Sequence, residues 1–365
     1  MRVLHIINSL RTGGAEKLLV DSLPLYKDSN THVDLLILDA TETPFLKKLK
    51  ITFCGKIYFS KIKNIYSPLQ ILQIQKYLKA YDIVHGHLFP VVYWLSIAKL
   101  LSNSRTKIVF TEHSTNNKRL RNKIFRQVDK VFYKPYHKIT AITPQVKEVL
   151  VRKLNIPEKK IEVIYNGIDT KRYEDATPYD KSAFFNRNNI ILIQVSRFQI
   201  QKDQKTLIRA MSLLSEQYKL LLVGDGEFRV ECEELVSELG LYNRILFLGE
   251  RMDVPELLKT SDIVVQSSHW EGFGLSIIEG MAAGLPAVAS DVEGLRELVK
   301  NYGFLFEAGS AESLAEKINL LSDKYIYREM AEKCLQRAKE FHILEMIKRN
   351  VKLYNRLLNN NKNEN

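Results

Sequence analysis

The chain has 365 residues, of which 45% are hydrophobic and 26% charged, and its formal net charge is +12. This length is enough for two domains with separate cores, and the composition is ordinary for a globular protein. The 3 cysteines are far apart and lack metal-ligand spacing, which argues against a disulfide framework or a zinc site and favours a reducing, cytoplasmic setting. Residues 1–10 do not resemble a signal peptide, and the longest apolar run, 91–101, is too short to span a bilayer.

Short apolar runs alternate with helical patterns along the chain. In the first half, strands are predicted at 3–7, 33–38, 82–85, 107–110, 138–143 and 161–165, and helices at 15–25, 67–81, 94–101 and from 144. In the second half, strands are predicted at 190–195, 220–223, 245–248, 263–265 and 286–290, and helices at 206–215, 228–239 and 275–283. From residue 313 onward the chain is predicted to be helical, with a helix at 341–358. The polar segment 170–189 is predicted to be a linker, and residues 359–365 a disordered tail. The alternation predicts two α/β domains, each with a doubly wound parallel sheet.

The positive charge is concentrated in the first half. Residues 1–168 contain 28 Lys and Arg against 12 Asp and Glu, whereas the remainder contains 26 against 30. A basic half beside a mildly acidic half predicts an anionic partner for the first half. A nucleic acid and an anionic membrane surface both meet that description.

A basic helical pattern at 118–138 gives this charge a specific surface. Four cations recur there at steps of three and four residues, namely Arg119, Lys123, Arg126 and Lys130. Apolar residues lie beside them at helical spacing, among them Ile124, Val128 and Val131. Basic amphipathic helices of this kind typically lie on the surface of anionic lipid membranes. A surface helix packed on its own sheet is the alternative, and no recognised motif supports a nucleic-acid helix.

The segment 268–286 carries the densest set of candidate ligand-binding residues. Glu271 and Glu279 stand eight positions apart, and a Gly-Phe-Gly turn between them leads into a helix that begins at Leu275. Gly274 lets the backbone approach a ligand closely, and the helix start adds a partial positive charge. Since carboxylates accept hydrogen bonds from sugar hydroxyls, the segment suits a ligand that combines an anion with a polyol.

An ordinary loop before a surface helix, with Glu279 solvated, is the alternative for this segment. The flanking strands decide against it: 263–265 precedes the loop and 286–290 follows the helix. The loop therefore lies at the carboxyl end of a strand in an α/β unit, where such folds bind ligands. Ser276, in the first helical turn, is a candidate cap-region residue.

Two cations form a second candidate site. Arg197 and Lys202 are five positions apart and follow the strand 190–195, so both side chains can reach one pyrophosphate. A solvated loop is the alternative. Gly224 and the pair Glu250-Arg251 follow the next two predicted strands and are candidates to border a nucleotide, although ordinary strand ends have the same pattern.

In the first half, a Gly-Gly turn and three histidines follow predicted strands. Gly14 lies in a strand–turn–helix unit that suits a phosphate. His113 ends the strand that begins at residue 107, and His85 and His87 end the strand before it. Packing is the alternative for each histidine. His113 ranks first as a functional residue and His85 last.

The pattern Glu-x7-Glu within EGFGLSxxEGMAAGLP, at 271–286, resembles the signature of family 4 of the retaining glycosyltransferases. The resemblance implies the GT-B architecture, with two Rossmann-like domains and a cleft between them. It assigns acceptor binding to 1–168 with a crossing helix at about 341–358, and nucleotide-sugar binding to 169–340. It also implies a hexosyltransferase of the kind that builds bacterial capsular, exo- or lipopolysaccharide, cytoplasmic or peripheral on the inner membrane face.

The resemblance further implies roles for individual residues. Arg197 and Lys202 match the cations that bind the diphosphate in GRLxxxKG, although Ser196 and Asp203 replace its two glycines. In the family, a histidine at the position of His113 faces the donor sugar and phosphate. His87 is expected to contact the acceptor, Glu271 the sugar hydroxyls, and Glu279 the ribose. The remaining donor-binding residues are expected to be Gly14, Gly224, Glu250, Arg251, Phe273, Gly274 and Leu275.

The expected partners are a UDP- or GDP-linked sugar and a glycan or lipid-linked acceptor, with a possible anionic membrane surface and no nucleic acid. The nucleotide-sugar is a substrate, no cofactor is expected, and the lack of an Asp-x-Asp motif predicts that no metal is needed. Alternatives are another GT-B enzyme such as a UDP-sugar 2-epimerase or a sugar phosphorylase, and a non-enzymatic basic protein that binds membrane or nucleic acid. A dinucleotide-dependent oxidoreductase is disfavoured because no GxGxxG follows the first strand of either half.

Overall fold

The computed structural model describes residues 1–11, 13–114 and 122–359, and they form two compact units. Unit 1 comprises Met1–Gly167 and the C-terminal segment from Ile343, and unit 2 comprises Ile168–His342. The first and last residues of unit 2 lie beside each other: Ile168 and His342 form an isolated parallel bridge, and the Ile168 N–H donates to the Phe341 carbonyl at 2.9 Å. The predicted tail 359–365 lies outside the described residues from 360 onward.

Unit 1 is built on a seven-stranded parallel sheet with the order β3-β2-β1-β4-β5-β6-β7. Its strands are β1 Arg2–Ile7, β2 His32–Ile37, β3 Ile57–Phe59, β4 Ile83–His87, β5 Lys107–Glu112, β6 Lys138–Ala141 and β7 Ile161–Val163. Its first helices are α1 Gly14–Ser22, α2 Pro44–Thr52, α3 Gln70–Leu78, α4 Val91–Leu100, α5 Lys123–Phe132 and α6 Pro144–Leu154. The central strands are apolar runs with buried side chains, as expected for a sheet covered on both faces.

Unit 2 is built on a six-stranded parallel sheet with the order β10-β9-β8-β11-β12-β13. Its strands are β8 Ile190–Val195, β9 Tyr218–Val223, β10 Ile245–Gly249, β11 Ile263–Gln266, β12 Ala287–Ser290 and β13 Phe304–Phe306. Its helices are α7 Thr170–Glu174, α8 Gln204–Leu213, α9 Arg229–Glu238, α10 Val254–Thr260, α11 Leu275–Ala282, α12 Arg296–Val299, α13 Ala311–Leu320 and α14 Lys324–Lys339. The prediction of two doubly wound α/β units is therefore confirmed.

The last helix, α15 (Ile343–Asn359), belongs to unit 1. It packs against α1 and the 3₁₀ helix Leu23–Ser29 that follows α1. Its buried Tyr354 hydroxyl bonds to Nδ1 of His85 at 2.6 Å, and Arg356 binds Glu162. These contacts connect the C-terminal segment to the core of the unit.

The structure corrects the prediction that residues 170–189 form a linker. The segment lies within unit 2 and contains α7, which packs against α10 and α11. Tyr173 is 1% exposed, and the hydroxyl of Tyr179 donates to Asp253 at 2.7 Å. The sequence did not predict this packing because the segment is mostly polar and its buried side chains lie in a single turn of helix. The elements α2, β3, α10, α12 and β13 were also missed, all of them nine residues or shorter.

Candidate functional site

The unit 2 sheet reverses its strand order between β8 and β11. In open α/β sheets, ligands bind beyond the carboxyl ends of the strands at such a switch point. The loop after β8 carries Arg197 and Lys202, and the loop after β11 carries Glu271. The structure thus brings two predicted segments, 69 residues apart in sequence, to one edge of the sheet.

An ion pair between a partly buried lysine and a buried glutamate joins these two loops. The Lys202 ammonium donates a short hydrogen bond to Oε1 of Glu271, and the two side chains are 19% and 7% exposed. The same Oε1 accepts from the Ser268 hydroxyl at 2.9 Å and from Nε2 of Gln266 at 3.4 Å. The carboxylate is therefore held by a cation and two neutral donors.

Gln266, which sequence reasoning missed, connects Glu271 to the start of α11. Its Nε2 donates to the Ser268 hydroxyl at 2.8 Å, and its Oε1 accepts from the Ser276 hydroxyl at 2.9 Å. Ser276 therefore binds this glutamine, whereas Gly274 occupies the cap position of α11 and no side chain caps that helix. Gln266 is 1% exposed, and its polar side chain at the end of an apolar strand was the available signal.

A second buried glutamine fixes the backbone beside Lys202. Nε2 of Gln194 donates to the Lys202 carbonyl at 3.1 Å, and its Oε1 accepts from the Ser267 hydroxyl at 2.9 Å. The Ser267 hydroxyl oxygen also lies 2.8 Å from the Asp203 carbonyl oxygen, so its one hydrogen is shared between these two acceptors. These bonds link the loops after β8 and β11, so their relative position does not depend on the ion pair alone.

Arg197 differs from Lys202 in its surroundings. Its side chain is exposed, and its guanidinium makes no ion pair within the described parts of the chain. Its carbonyl accepts from Nε2 of Gln204 at 2.9 Å, which holds the backbone of the loop in place. The site thus contains one cation with a counter-ion and one exposed cation.

Two glycines at this edge have backbone conformations that other residues rarely adopt. Gly274 has a φ of +88°, and a Cβ there would lie 2.6 Å from a methyl carbon of Leu295. Gly224 has a φ of +128°, and a Cβ there would lie 2.1 Å from the carbonyl oxygen of Ser196. Gly224 is therefore required by the packing of two loops, independently of any ligand.

The other predicted donor-binding residues of unit 2 have diverse surroundings. Glu279 is 3% exposed on α11, and Leu275 is the first residue of that helix. Phe273 is 3% exposed and packs edge-on against the Phe341 ring, so its side chain is part of the core. Glu250 is exposed after β10, and the Arg251 guanidinium is bound by Asp253. Of these side chains, only Glu250 is exposed.

In unit 1, the sheet reverses its strand order between β1 and β4, and histidines cluster there. Nδ1 of His5 lies 2.9 Å from Nε2 of His87, and Nδ1 of His87 lies 3.4 Å from Nε2 of His113. These three side chains, with His85, line a pocket of the unit. Sequence reasoning missed His5, whose signal was a polar residue inside the apolar strand β1.

His85 and Gly14 also lie near this pocket, at positions that support the fold of the unit. His85 is 1% exposed, its Nε2 contacts the Thr111 hydroxyl at 2.7 Å, and its Nδ1 is bonded to Tyr354. Gly14 is the first residue of α1 and follows an extended Gly13.

Burial keeps the histidines of this cluster neutral at pH 7. Desolvation lowers the pKa of His5 to about 3 and that of His113 to about 4. It also lowers the pKa of His85 and His87 well below the usual value, and neighbouring histidines add to the effect. The cluster therefore offers neutral imidazoles, each with one N–H and one acceptor nitrogen.

Nitrogen atoms of His5, His85 and His87 lie within 4.8 Å of one another, close enough for a metal ion. However, the rings of His5 and His87 lie edge to edge, with 13° between their planes, 5.2 Å between their centroids and 2.9 Å between the facing nitrogens, and those of His85 and His87 stack at 4.4 Å and 26°. Metal ligands instead direct their lone pairs toward one point. Hydrogen bonding therefore describes this cluster better than metal coordination.

The predicted basic helix is α5, which begins at Lys123 and ends at Phe132, before the end of the pattern at residue 138. Arg119 lies outside the described residues. Lys123 is exposed, and Arg126 and Lys130 are partly exposed. The inward face holds the fully buried Asp129, which accepts a short hydrogen bond from the Tyr93 hydroxyl.

Comparisons with known proteins agree with this architecture. The family description "Glycosyltransferase Family 4" matches residues 12–172, and "Glycosyl transferases group 1" matches residues 175–341. The N-acetyl-alpha-D-glucosaminyl L-malate synthase of Bacillus anthracis is 31% identical over 300 residues, covering 77% of this chain and 76% of that protein. The UDP-Gal:alpha-D-GlcNAc-diphosphoundecaprenol alpha-1,3-galactosyltransferase of Escherichia coli is 28% identical over 321 residues, covering 83% and 82%.

Among solved structures, Anabaena HepE in complex with UDP-glucose superposes with a TM-score of 0.86 at 24% identity, covering 99% of this chain and 100% of that chain. This likeness supports the fold. The two family matches and the 31% identical relative show the family, so the alternatives of a dinucleotide-dependent oxidoreductase and a non-enzymatic binding protein are set aside. The chain belongs to the family 4 glycosyltransferases.

Proposed function

We propose that this enzyme transfers a sugar, with retention of anomeric configuration, from a UDP- or GDP-linked donor to a hydroxyl of a glycan or lipid-linked acceptor in surface polysaccharide synthesis. The observation that carries the proposal is the Lys202–Glu271 pair at the switch point of the unit 2 sheet, beside the start of α11. A buried carboxylate, a cation and a helix N-terminus at one sheet edge suit a ligand with both hydroxyls and phosphates.

The leaving nucleoside diphosphate develops negative charge during transfer. We assign its stabilisation to Arg197, Lys202 and the backbone amides near Gly274, which act as fixed positive charges and dipoles. Lys202 would exchange its bond to Glu271 for one to the diphosphate, while Arg197 has no ion pair to break among the described residues. These cations supply the charge compensation, so we expect activity to persist in the presence of a chelator.

We assign the hydroxyls of the transferred sugar to Glu271 and the ribose to Glu279. His113 is assigned a hydrogen bond that orients the sugar near the reacting centre, and His87 a contact with the acceptor. Because both histidines are neutral at pH 7, neither is expected to act through a positive charge. In this proposal the leaving phosphate assists removal of the proton from the acceptor hydroxyl.

Calorimetric titration with UDP, GDP and their sugar conjugates tests the donor class. Binding of at least one of them, with loss of affinity in Arg197→Met, is the expected result. Product NMR then tests the stereochemistry, since a retained anomeric configuration is expected. No binding of any nucleotide, or an inverted product, would refute the corresponding part of the proposal.

We also propose that unit 1 docks on an anionic membrane surface through α5. Three large apolar side chains of this helix face solvent: Ile124 is 74% exposed, Phe125 48% and Val131 53%. Inward contacts through Asp129 and the buried Tyr133 fix the orientation of the helix. Apolar side chains beside cations are what an interfacial helix presents to lipid, and the E. coli relative is named for a diphosphoundecaprenol substrate.

Sedimentation with vesicles that contain phosphatidylglycerol tests this docking. Each cation near an anionic surface contributes about 1 kcal/mol, so the wild type should pellet at low salt and less at high salt. Replacing Lys123, Arg126 and Lys130 by Gln should abolish pelleting. A matched control replaces three exposed lysines of unit 2, namely Lys300, Lys324 and Lys339. Equal loss in both variants, or wild-type protein in the supernatant, would contradict docking through α5.

Among the described residues, no helix is both long and apolar enough to cross a bilayer.

A further inference from the structure

Three histidines of unit 1 form a continuous chain that starts in the sheet and ends at the pocket. His5 on β1 is 2% exposed, His87 at the end of β4 is 7% exposed, and His113 follows β5 and is half-buried. His5 contacts His87 through Nδ1, and His87 contacts His113 through its own Nδ1. The same order of ring nitrogens therefore repeats along the chain.

This order couples the tautomers of the three rings. A neutral imidazole has one N–H and one acceptor nitrogen, so each contact needs a donor on one side and an acceptor on the other. If His5 carries its proton on Nδ1, then His87 accepts at Nε2 and carries its proton on Nδ1, and His113 accepts at Nε2. If His5 carries its proton on Nε2, all three assignments reverse. Only these two arrangements satisfy both contacts.

The buried end of the chain distinguishes the two arrangements. Nε2 of His5 is buried and has no hydrogen-bond partner among the described residues. A buried N–H without a partner is rarer in proteins than an under-satisfied acceptor. The arrangement with an unprotonated Nε2 on His5 is therefore favoured, and it places the proton of His113 on Nδ1.

We propose that His5 and His87 are positioning residues that hold His113 in the Nδ1–H tautomer. His113 then presents a hydrogen-bond donor at Nδ1, the ring nitrogen that does not contact His87. Burial, which disfavours a positive charge on each ring, keeps the three histidines neutral and preserves the alternation of donor and acceptor nitrogens. This inference rests on the proposed function. It gives His113 one specific action, which is to donate a hydrogen bond from Nδ1–H to an oxygen of the donor substrate.

Two-bond ¹H–¹⁵N correlation spectra of the full-length protein, labelled with ¹⁵N-histidine, report the tautomer of each ring at pH 7. The chain has 8 histidines, so His113 is assigned by the signal lost in His113→Gln. We expect pyrrole-type Nδ1 and pyridine-type Nε2 signals for His5, His87 and His113. A predominant Nε2–H tautomer for His113 in the wild type would overturn the proposal.

A matched pair of variants tests the influence of His87 on His113. His87→Leu removes the donor, and the His113 signals should shift toward the Nε2–H tautomer that imidazole favours in water. His87→Asn keeps an amide N–H near the position of Nδ1, and the wild-type signals of His113 should be retained. Identical His113 tautomers in His87→Leu and the wild type would refute the positioning role.

The spectra are recorded without nucleotide, so they are independent of the proposed reaction. If the tautomers are as expected but no nucleotide-sugar binds, the proposed function fails and the histidine chain stands. If UDP-glucose binds and His113 carries its proton on Nε2, the proposed function stands and the histidine chain is refuted.

Discussion

Replacing Lys202 by Met should reduce both the stability of unit 2 and its affinity for nucleotide. Removing one partner of a buried ion pair costs roughly 3–5 kcal/mol, because the remaining charge is left uncompensated. Lys202 is 19% exposed, and Glu271 keeps hydrogen bonds from Ser268 and Gln266. We therefore expect the lower end of that range, about 3 kcal/mol.

Arg197→Met is the matched control, because it removes the same charge from the same edge of the sheet. Arg197 is exposed and has no ion pair among the described residues, so its loss should change stability by no more than about 0.5 kcal/mol. In the proposed function, both variants would lose one charge-assisted bond to the diphosphate, worth about 1.5–3 kcal/mol. Their affinity for the better of UDP and GDP should therefore fall roughly 10- to 100-fold.

Thermal unfolding detected by tryptophan fluorescence measures the loss of stability separately from the loss of nucleotide affinity. The chain has 2 tryptophans, Trp94 in unit 1 and Trp270 in unit 2, so a Trp94→Phe background leaves a single reporter beside the site. A loss of 3 kcal/mol should lower the midpoint by roughly 6–12 °C for a domain of this size. Equal midpoints in Lys202→Met and Arg197→Met would refute the buried ion pair. Unchanged nucleotide affinity in Arg197→Met would remove that residue from the site.

Four further substitutions test other parts of the structure. In calorimetry, Glu279→Ala should weaken UDP and UDP-glucose alike, whereas Glu271→Ala should weaken only the nucleotide-sugar; equal effects on UDP would contradict this division. Gln266→Leu leaves Glu271 and Ser276 without their shared partner, so urea unfolding should show a loss of about 1–3 kcal/mol; wild-type stability would contradict the linking role of Gln266. The pKa of His5 is lowered to about 3, so the unfolded chain binds more protons at this residue below pH 6.5, and His5 alone should contribute a loss of up to about 1.4 kcal/mol of stability per pH unit as the pH falls toward 5. His5→Phe should lose that much less over the same pH range, and an unchanged pH dependence would argue against a neutral buried His5.

The sequence by itself determined the fold class and the family. Apolar runs such as β8 and β11, separated by helical patterns, indicate buried parallel strands, because this periodicity is a local property of the chain. The segment 271–286 is contiguous, so its resemblance to family 4 needed no tertiary information. Segment 170–189 was mistaken for a linker because its few buried side chains, such as Tyr173, are outnumbered by polar ones.

The tertiary structure alone decided which residues meet. Lys202 and Glu271 are 69 residues apart, and their contact depends on β8 and β11 being neighbours in the sheet. His5 and His87 are 82 residues apart and meet because β1 pairs with β4. Strand order is set by the packing of whole helices and strands, not by any local pattern. The partners of Glu271 and the histidine chain could therefore not be predicted from the sequence, although each residue type was visible in it.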